Sequence, residues 1–273
     1  MVLGSRPAPQ PGPATAFLKD RSDVRTAVTA VDLAVESYLI KTLRMTYRCR
    51  VLSEEGGSPG TAGRYRLILD PLDGTANLLR DTLGLCAISV GLELDGRPLA
   101  GAVALPYFRE ILVGEIGVST ALCKFSHGSI TAVSEIAGTG RRRVRLPEAR
   151  IIVGRGSGPP CAPVSRPLGS LFAAVSEVLN FGSCATGLLC AALQRVDGVV
   201  LPGQGYWDFA GAYPLVKNLG GEISVWDRSW RCRLDESVLA NATRESRFNI
   251  IAASSRRLHE EIADLLISAR RSD

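Results

Sequence analysis

One short stretch of the chain carries two carboxylates that could act on the same atom. Asp70 and Asp73 stand three residues apart in the order Asp-Pro-Leu-Asp-Gly-Thr. Pro71 restricts Asp70 to an extended backbone, so both carboxylates and the Leu72 carbonyl are expected at the end of one strand. If Asp73 caps a helix that starts at Gly74, the first N–H groups of that helix point to the same place. The stretch predicts cation ligands beside a phosphate-binding helix start, or, in the plainer interpretation, an Asx turn before a helix.

Further acidic residues stand near other predicted element ends. Glu54-Glu55 ends a predicted strand, Asp208 follows Trp207 at a predicted helix start, and Asp32 lies on a helix of apolar spacing. Taken singly, they fit a solvated loop, a helix cap and a surface acid. In combination they predict one site of oxygen ligands, because the chain has only 2 histidines. Carboxylates that converge within a few ångströms repel by several kcal/mol at an effective dielectric of about 20, so cations or protons must neutralise them.

These motifs, in this order, resemble those of the inositol monophosphatase superfamily. That superfamily also includes fructose-1,6-bisphosphatases and 3′-phosphoadenosine 5′-phosphate phosphatases. The similarity covers roughly residues 19–265. The matching segments are Val28–Asp32 (V-T-x-x-D), Ser53–Gly56 (G-E-E), Asp70–Thr75 (D-P-[IL]-D-G-T), and Trp207–Ala212 with Leu219–Gly221 (W-D-x-A-G-x…G-G).

The resemblance implies a metal centre. Glu54, Asp70 and the Leu72 carbonyl would bind one Mg²⁺, while Asp70, Asp73 and Asp208 would bind a second, with Asp70 bridging. A weaker third ion is common in such proteins, and Mn²⁺ is a possible substitute, since hard oxygen ligands suit both ions. The implied reaction is in-line attack on phosphorus by a metal-activated water, without a covalent phosphoenzyme.

The resemblance also implies roles for residues that touch water and substrate. Thr75 and Asp32 would orient and deprotonate the water, with Glu54 as a further catalytic residue. The backbone N–H groups of Gly74 and Thr75 would hold phosphate oxygens. The alternative for Thr75 is an ordinary hydroxyl in a helix turn.

The non-phosphate part of the substrate is expected beside a second segment. Ser183 and Cys184 lie in Gly182–Ala185, which resembles the family's G-[ST]-A-A element, and they would line the substrate site. Leu201 stands where inositol monophosphatases have an acidic residue that accepts substrate hydroxyls. This leucine argues against the usual recognition of inositol phosphate. Arg80 stands in place of the usual aromatic-histidine pair, and it would bind a second phosphate or carboxylate or lie free at the surface.

The elements that must position these residues follow from apolar periodicity and turn residues. Helical spacing predicts a helix from Val28 to about Leu43, and the first half then reads as an antiparallel meander. In the second half strands and helices alternate. This pattern predicts a mixed α/β layered structure. The resemblance implies the fold class α/β (α+β), a layered αβαβα sandwich of the sugar-phosphatase type with an antiparallel first sheet and a mixed second sheet. Further expectations are a strand Tyr65–Leu69 stopped by Asp70-Pro71, a polar crossover at 126–150, helices Leu168–Leu179 and Trp207–Leu219, and a strand Asn180–Gly182.

The expected organisation is a single catalytic module behind a short tail. Residues 1–14 hold four prolines among Pro7–Pro13 and are expected to be disordered. The module would cover residues 15–273, with a first lobe at 15–145 and a second at 146–273. Only 18 residues precede Lys19, fewer than the long first helix of the family needs, so the start is truncated or a partner covers that surface.

Composition excludes several classes of protein. The chain has 273 residues with 46% hydrophobic content, which is globular composition, and it has no long apolar run or signal-peptide core. Seven cysteines without C-x-x-C argue against a disulfide framework or a zinc site. The net charge is +5, and the densest basic cluster is Arg141–Arg145. We interpret this cluster as a solvated loop rather than a nucleic-acid patch. We therefore expect a cytoplasmic protein with a small phosphorylated metabolite as partner and no nucleic acid or membrane, and a homodimer is one assembly that the sequence leaves open.

The expected function is Mg²⁺-dependent hydrolysis of a small sugar, cyclitol or nucleotide phosphate monoester. Within the same class, the alternative is a fructose-1,6-bisphosphatase or a 3′(2′),5′-bisphosphate nucleotidase. A different class is a catalytically silent binding module that keeps the fold.

Overall fold

Two large sheets alternate with layers of helices in the computed structural model of the chain. The structure describes residues 16–18, 27–46, 49–56, 63–80, 85–138, 144–155 and 165–271. The predicted tail at 1–14 and most of the basic cluster at 141–145 lie outside these residues. The predicted division into two lobes stays a prediction.

The first sheet contains seven strands in the described part of the chain, arranged in chain order. Its first two strands run parallel, and every later neighbouring pair runs antiparallel, as the meander pattern predicts. The strands are β3 Arg50–Ser53, β4 Tyr65–Asp73, β5 Ala87–Leu94, β6 Arg97–Leu105, β7 Glu110–Glu115, β8 Ser119–Ser126 and β9 Ser129–Ile136. Before them, β1 Ala16–Leu18 and β2 Ala27–Thr29 form a separate antiparallel pair.

The second sheet contains six strands among the described residues and is mixed, as predicted. The strands are β10 Arg150–Val153, β11 Glu177–Leu179, β12 Gly198–Gln204, β13 Glu222–Trp226, β14 Arg233–Leu234 and β15 Phe248–Ala253. Their order across the sheet is β11-β10-β12-β15-β13-β14. β10 runs parallel to both of its neighbours, whereas the other pairs are antiparallel.

Helices form the other three layers of the described fold, which confirms the predicted αβαβα sandwich. They are α1 Ala30–Thr46, α2 Thr75–Leu79, α3 Ser165–Ala174, α4 Cys184–Ala192, α5 Tyr206–Ala210, α6 Tyr213–Asn218 and α7 Arg256–Arg271, with 3₁₀ turns at Leu146–Glu148 and Glu236–Asn241. The largest apolar core places α4, α5 and α6 between the two sheets. α3 and α7 cover the outer face of the second sheet, and α1 covers that of the first. No helix in the described part of the chain is both long and apolar enough to cross a bilayer.

Two predicted boundaries near the candidate site are wrong. β4 does not stop at Asp70 but continues through Pro71 to Asp73, because its register with β5 shifts between those aspartates. Such an irregularity accommodates a residue without an N–H. The predicted helix 207–219 is divided into α5 and α6. Gly211 lies at the division, where a Cβ would stand only 2.6 Å from Ser89 Oγ, and Pro214 opens α6 without a donor.

The end of the predicted helix 168–179 and the predicted connection 126–150 also contain strands. Helix α3 ends at Ala174, and the strand predicted at 180–182 lies instead at β11, where Val178 pairs with Ile151 of β10. Gly182 has φ +64°, which a strand does not accommodate. The polar crossover predicted at 126–150 contains β9, whose residues before Ile136 are all exposed. Backbone pairing rather than burial forms β9, so it has no apolar alternation to detect.

A buried ion pair joins the first sheet to the middle helices. Arg66 on β4 donates from Nε to Glu93 Oε2 at 2.6 Å, and Tyr206 donates its hydroxyl to Glu93 Oε1 at 2.8 Å. The remaining guanidinium nitrogens donate to the carbonyl oxygens of Ala242 and Leu239. Arg66 lies four residues before Asp70 and Tyr206 two before Asp208, so this network fixes the strand and the helix that carry those acids.

Replacing one acid of this network tests its contribution to stability. In Glu93→Gln the Arg66 guanidinium keeps its buried position without an opposite charge, so the free energy of unfolding should fall by about 3–5 kcal/mol. Denaturant unfolding monitored by circular dichroism measures it. The control is Asp95→Asn, which breaks the exposed Arg64–Asp95 pair and should change little. Equal losses in the two variants would show that the buried network contributes nothing special.

A buried histidine in the outer core stays neutral in the folded chain. Ser224 Oγ lies 2.6 Å from His259 Nε2 and accepts a hydrogen bond from Trp226 Nε1, so the serine proton points to the imidazole. His259 Nδ1 is buried without a partner in the described structure. Burial, assisted by the charge of Arg233, lowers the pKa of His259 from 6.5 to about 4.

This shift predicts a loss of stability in acid. The unfolded chain binds a proton near pH 6.5 and the folded chain only near pH 4, so the contribution is complete above 6.5 and falls as the pH falls toward 4. Between about pH 7.5 and about pH 5 the loss amounts to about 2 kcal/mol. His259→Gln keeps an acceptor for Ser224 but does not titrate, so its unfolding free energy should depend less on pH by that amount. Parallel pH dependences of the two proteins would contradict the assignment.

Candidate active site

A cavity of about 500 Å³ collects the predicted site residues from both halves of the chain. Its acidic end is formed at the end of β4, in the loop after β3 and in the first turn of α5. The predicted residues that line it are Glu54, Asp70, Leu72, Asp73, Gly74, Thr75, Ser183, Cys184 and Asp208. Asp32 is the one predicted site residue that does not line the cavity, and it lies behind Thr75.

Strand β4 and its bulge place the first two ligand candidates. Asp70 is 1% exposed, and its Oδ1 accepts the Leu72 N–H at 3.0 Å. The Leu72 carbonyl lies 2.9 Å from Thr75 Oγ1. Glu54 follows β3, and its N–H donates to the Leu69 carbonyl at 3.2 Å, so the parallel pairing of β3 and β4 brings it beside Asp70. The backbone therefore fixes these carboxylates next to one another.

The Asp73 carboxylate accepts hydrogen bonds from the start of a different helix from the one predicted. The N-cap of α2 is Gly74, with φ +91° and no side-chain hydrogen bond. Asp73 Oδ2 instead accepts the Ser183 hydroxyl at 2.7 Å and the Ala185 N–H at 2.6 Å, at the start of α4. The prediction that Asp73 caps the helix at Gly74 is therefore wrong, because the bulge turns this carboxylate toward α4.

Asp208 lies in the first turn of α5. Its Oδ2 accepts the Gly205 N–H at 2.8 Å, so it serves as an N-terminal hydrogen-bond acceptor while its residue lines the cavity. Both of the alternatives open for Asp208, helix terminus and site residue, are therefore compatible with its position. The Arg247 guanidinium over the Trp207 ring lies near enough to oppose the rise in the Asp208 pKa.

The pKa values of three carboxylates in the cavity are raised, those of Asp70 and Asp208 in part by neighbouring acids. Burial, followed by the charges of Glu54, Asp73 and Asp208, raises the pKa of Asp70 well above its ordinary value. Burial and the charges of Glu54 and Asp73 do the same for Asp208. Burial raises the pKa of Asp73 to about 6, although hydrogen bonds from Ser183, Ala185 and Cys184 oppose the rise. The cavity is therefore a place where added positive charge is favourable.

The donor chemistry of the cavity fits a hard divalent cation. Its acidic end offers carboxylate oxygens and a carbonyl, without imidazole, which are the ligands that Mg²⁺ and Mn²⁺ accept. Among the described residues, however, no group of three or more acidic, histidine or cysteine side chains forms a ready-made metal site. The acids share a cavity and repel one another, but their oxygens do not surround a common point.

Thr75 and Asp32 form a polar pair at the wall of the cavity. Thr75 Oγ1 lies 2.9 Å from Asp32 Oδ1 and 2.9 Å from the Leu72 carbonyl, and its single proton serves one of them at a time. Asp32 is fully buried, and its Oδ2 accepts the Thr29 N–H at 2.8 Å as well as the Thr29 hydroxyl. The carboxylate is thus held rigidly, with one oxygen left for Thr75.

The rest of the lining comes from loops that sequence reasoning partly missed. Leu201 lines the cavity, as does Arg80, which is exposed. Asn77, to which the sequence motifs give no role, also lines the cavity, and its Nδ2 donates to the carbonyls of Leu85 and Phe181 at 2.8 and 2.7 Å. Arg155 also lines the cavity, and the sequence motifs do not indicate it. The available signal is its position after a parallel strand, because ligands of such sheets bind beyond the carboxyl ends of the strands.

Comparison with known proteins agrees with the sequence motifs and the layered fold. The profile of the inositol monophosphatase family matches residues 10–266. The Nus factor SuhB of Escherichia coli K12 is 28% identical over 244 residues, which cover 88% of this chain and 85% of that protein. An inositol-1-monophosphatase of Mesorhizobium japonicum is 31% identical over 181 residues, 65% of this chain and 63% of that protein.

A solved structure extends the comparison to three dimensions. The extragenic suppressor protein suhB from Bartonella henselae is 25% identical, covers 93% of this chain and 88% of its own, and superposes with a TM-score of 0.72. From the family profile over nearly all of its length, the chain belongs to the inositol monophosphatase family.

Proposed function

We propose that this protein is a Mg²⁺-dependent phosphomonoesterase that hydrolyses a small sugar, cyclitol or nucleotide phosphate. The observation that carries the proposal is the meeting of Glu54, Asp70, Asp73 and Asp208 in one cavity beside the Thr75–Asp32 pair. Carboxylates that repel one another in a cavity, one of them buried and three half-buried, are unfavourable for stability alone. They are useful where a cation and an anionic substrate must be held together.

The ligands of the proposed metal centre come from the acidic end of the cavity. Glu54, Asp70 and the Leu72 carbonyl would hold one Mg²⁺, and Asp70, Asp73 and Asp208 a second, with room for a weaker third ion or for Mn²⁺. When bound, Mg²⁺ supplies a lowered pKa for an attacking water and positive charge for the phosphate and the leaving oxygen.

Thr75 and Asp32 would remove the proton of the attacking water. The Thr75 hydroxyl donates to Asp32 Oδ1, which turns an Oγ1 lone pair toward the cavity, where a water O–H can donate. As the water oxygen forms its bond to phosphorus, its proton moves to Thr75 Oγ1 and the Thr75 proton moves to Asp32. The ester oxygen leaves with the electrons of the broken P–O bond and takes up a proton from solvent water, and Asp32 returns its proton to solvent through Thr75. Asp32 and Thr75 thus act as a two-step base, with the support of Thr29.

Other residues would hold the two parts of the substrate. The N–H groups of Gly74 and Thr75 precede the first internal hydrogen bonds of α2 and would bind phosphate oxygens. Ser183 and Cys184 would lie beside the alcohol part, and burial keeps Cys184 in its thiol form by raising its pKa well above the ordinary value. Glu54 would serve the centre as a ligand that also orients the water.

A second candidate function is a binding module without catalysis. A relative that covers 88% of this chain is named a Nus factor, whereas another is named an inositol-1-monophosphatase, so names among relatives point in two directions. The Thr75–Asp32 hydrogen bond favours catalysis, because a module that only kept the fold would have no need of a buried carboxylate aimed at a cavity hydroxyl.

Phosphate release is the direct test of the proposed reaction. With Mg²⁺ present, the protein should release phosphate from at least one member of a panel of sugar, cyclitol and nucleotide monophosphates. Asp70→Asn removes the carboxylate that both ions would share, so the rate should fall by at least about 100-fold. The matched control is Asp264→Asn, an exposed residue of α7 outside the cavity, which should keep the activity.

Two outcomes would count against the metal-dependent reaction. Full activity in Asp70→Asn, or equal activity with and without Mg²⁺, would remove the metal assignment. A folded wild-type protein that releases phosphate from no member of the panel would favour the binding module.

The proposed base predicts coupled variants. Thr75→Ala and Asp32→Asn should each lower kcat by about 10²–10⁴-fold, and the double variant should be no slower than the slower single variant, since both changes break one proton path. Thr75→Ser keeps the hydroxyl and should recover part of the rate. Steady-state kinetics at saturating Mg²⁺ measures these effects. Losses that multiply in the double variant would mean that the two residues act independently.

A further inference from the structure

Two arginines line the same cavity as the four carboxylates. Arg80 is the C-cap of α2, and Arg155 lies two residues after β10. Both are exposed, and among the described residues neither forms a salt bridge with an acidic side chain. Two positive charges from distant parts of the sequence thus line one cavity, and neither is paired with an acidic side chain of the described residues.

Arg80 lies away from the acidic end. It stands five residues after Thr75, which at 1.5 Å per residue places it about 7.5 Å farther along the axis of α2. Arg80 and Asn77 are three residues apart and therefore share a face of the helix, and both line the cavity. Because Asn77 is tied to the Phe181 carbonyl, the helix that carries Arg80 is anchored to the loop before α4.

Arg155 shares its wall with Leu201. The Gly154 N–H donates to the Val200 carbonyl at 3.2 Å, and a Cβ at Gly154 would lie 2.9 Å from Leu201 Cδ2. This wall therefore combines a guanidinium with an apolar side chain. An apolar side chain leaves a substrate hydroxyl without a hydrogen-bond partner, which is unfavourable for a neutral polyol.

We propose that Arg80 and Arg155 bind a second anionic group, a phosphate or a carboxylate, on a substrate whose scissile phosphate lies at the acidic end. The proposal rests on the proposed phosphomonoesterase and names its substrate class. A guanidinium pairs with either anion through two parallel hydrogen bonds, so each of these two arginines is chemically suited to such a group. A cavity of about 500 Å³ is within the size range of sites for small metabolites.

Matched substrates test the subsite. We would compare fructose 1,6-bisphosphate with fructose 1-phosphate, and adenosine 3′,5′-bisphosphate with adenosine 3′-monophosphate. In at least one pair, kcat/KM should be at least about tenfold higher for the substrate with two phosphate groups, since a charge-assisted hydrogen bond contributes that much. The ratio should fall in Arg80→Gln and in Arg155→Gln and approach one in the double variant. Arg228→Gln, an exposed arginine outside the cavity, should leave the ratio unchanged.

A binding measurement separates this inference from the proposed reaction. Mono- and bisphosphonate analogues of the sugar cannot be hydrolysed, and titration calorimetry with Mg²⁺ gives their Kd values. If no ester is hydrolysed but the bisphosphonate binds about tenfold more tightly through the two arginines, the proposed reaction fails and the subsite stands. If monophosphates are hydrolysed without any preference in either pair, or if the double variant loses both members of a pair equally, the subsite is overturned and the reaction stands.

Discussion

Mutual repulsion among buried carboxylates is the constraint on which the candidate site depends. Asp70 and Asp208 are held where burial and neighbouring acids both oppose ionisation. A chain selected for stability alone would separate these groups or pair them with arginine. Here the fold keeps them together by backbone means, through the bulge after Asp70 and the first turn of α5. The stability that this arrangement costs must come from the surrounding packing.

The packing that opposes this repulsion is concentrated next to the acids. The Arg66–Glu93–Tyr206 network is buried, fully hydrogen-bonded and close in sequence to both Asp70 and Asp208. Nearby, the first sheet meets the middle helices through backbone contact, since a Cβ at Gly101 would lie 2.1 Å from the Gly211 carbonyl oxygen. Such contacts leave little freedom for α5 to move away from β4. The acids are therefore fixed by parts of the fold that carry no reactive group.

Many of the strands and helices can be predicted from apolar periodicity, and the layered fold from the family resemblance. The Asp-Pro-Leu-Asp-Gly-Thr motif is also a local signal, and the structure brings its acids into one cavity with Glu54 and Asp208, while their role as ligands stays a prediction. Sequence reasoning misses β9, whose side chains are exposed on both faces, so pairing leaves no trace in its composition. It also misassigns the partner of Asp73, since a contact with Ala185, far along the chain, cannot be read from neighbouring residues. The position of Arg155 in the cavity cannot be predicted from neighbouring residues either, because only the assembled second sheet brings it near the end of β4.

The hydrogen bonds of Asp73 tie the wall of the cavity to the central layer. Its Oδ2 accepts both the hydroxyl of Ser183 and the Ala185 N–H at the start of α4, so Oδ1 keeps its lone pairs for other partners. Because α4 packs against both sheets, the orientation of this carboxylate is set from the middle of the molecule as well as from its own strand. A substitution in the first turn of α4 would therefore reach the acidic end of the cavity without touching it.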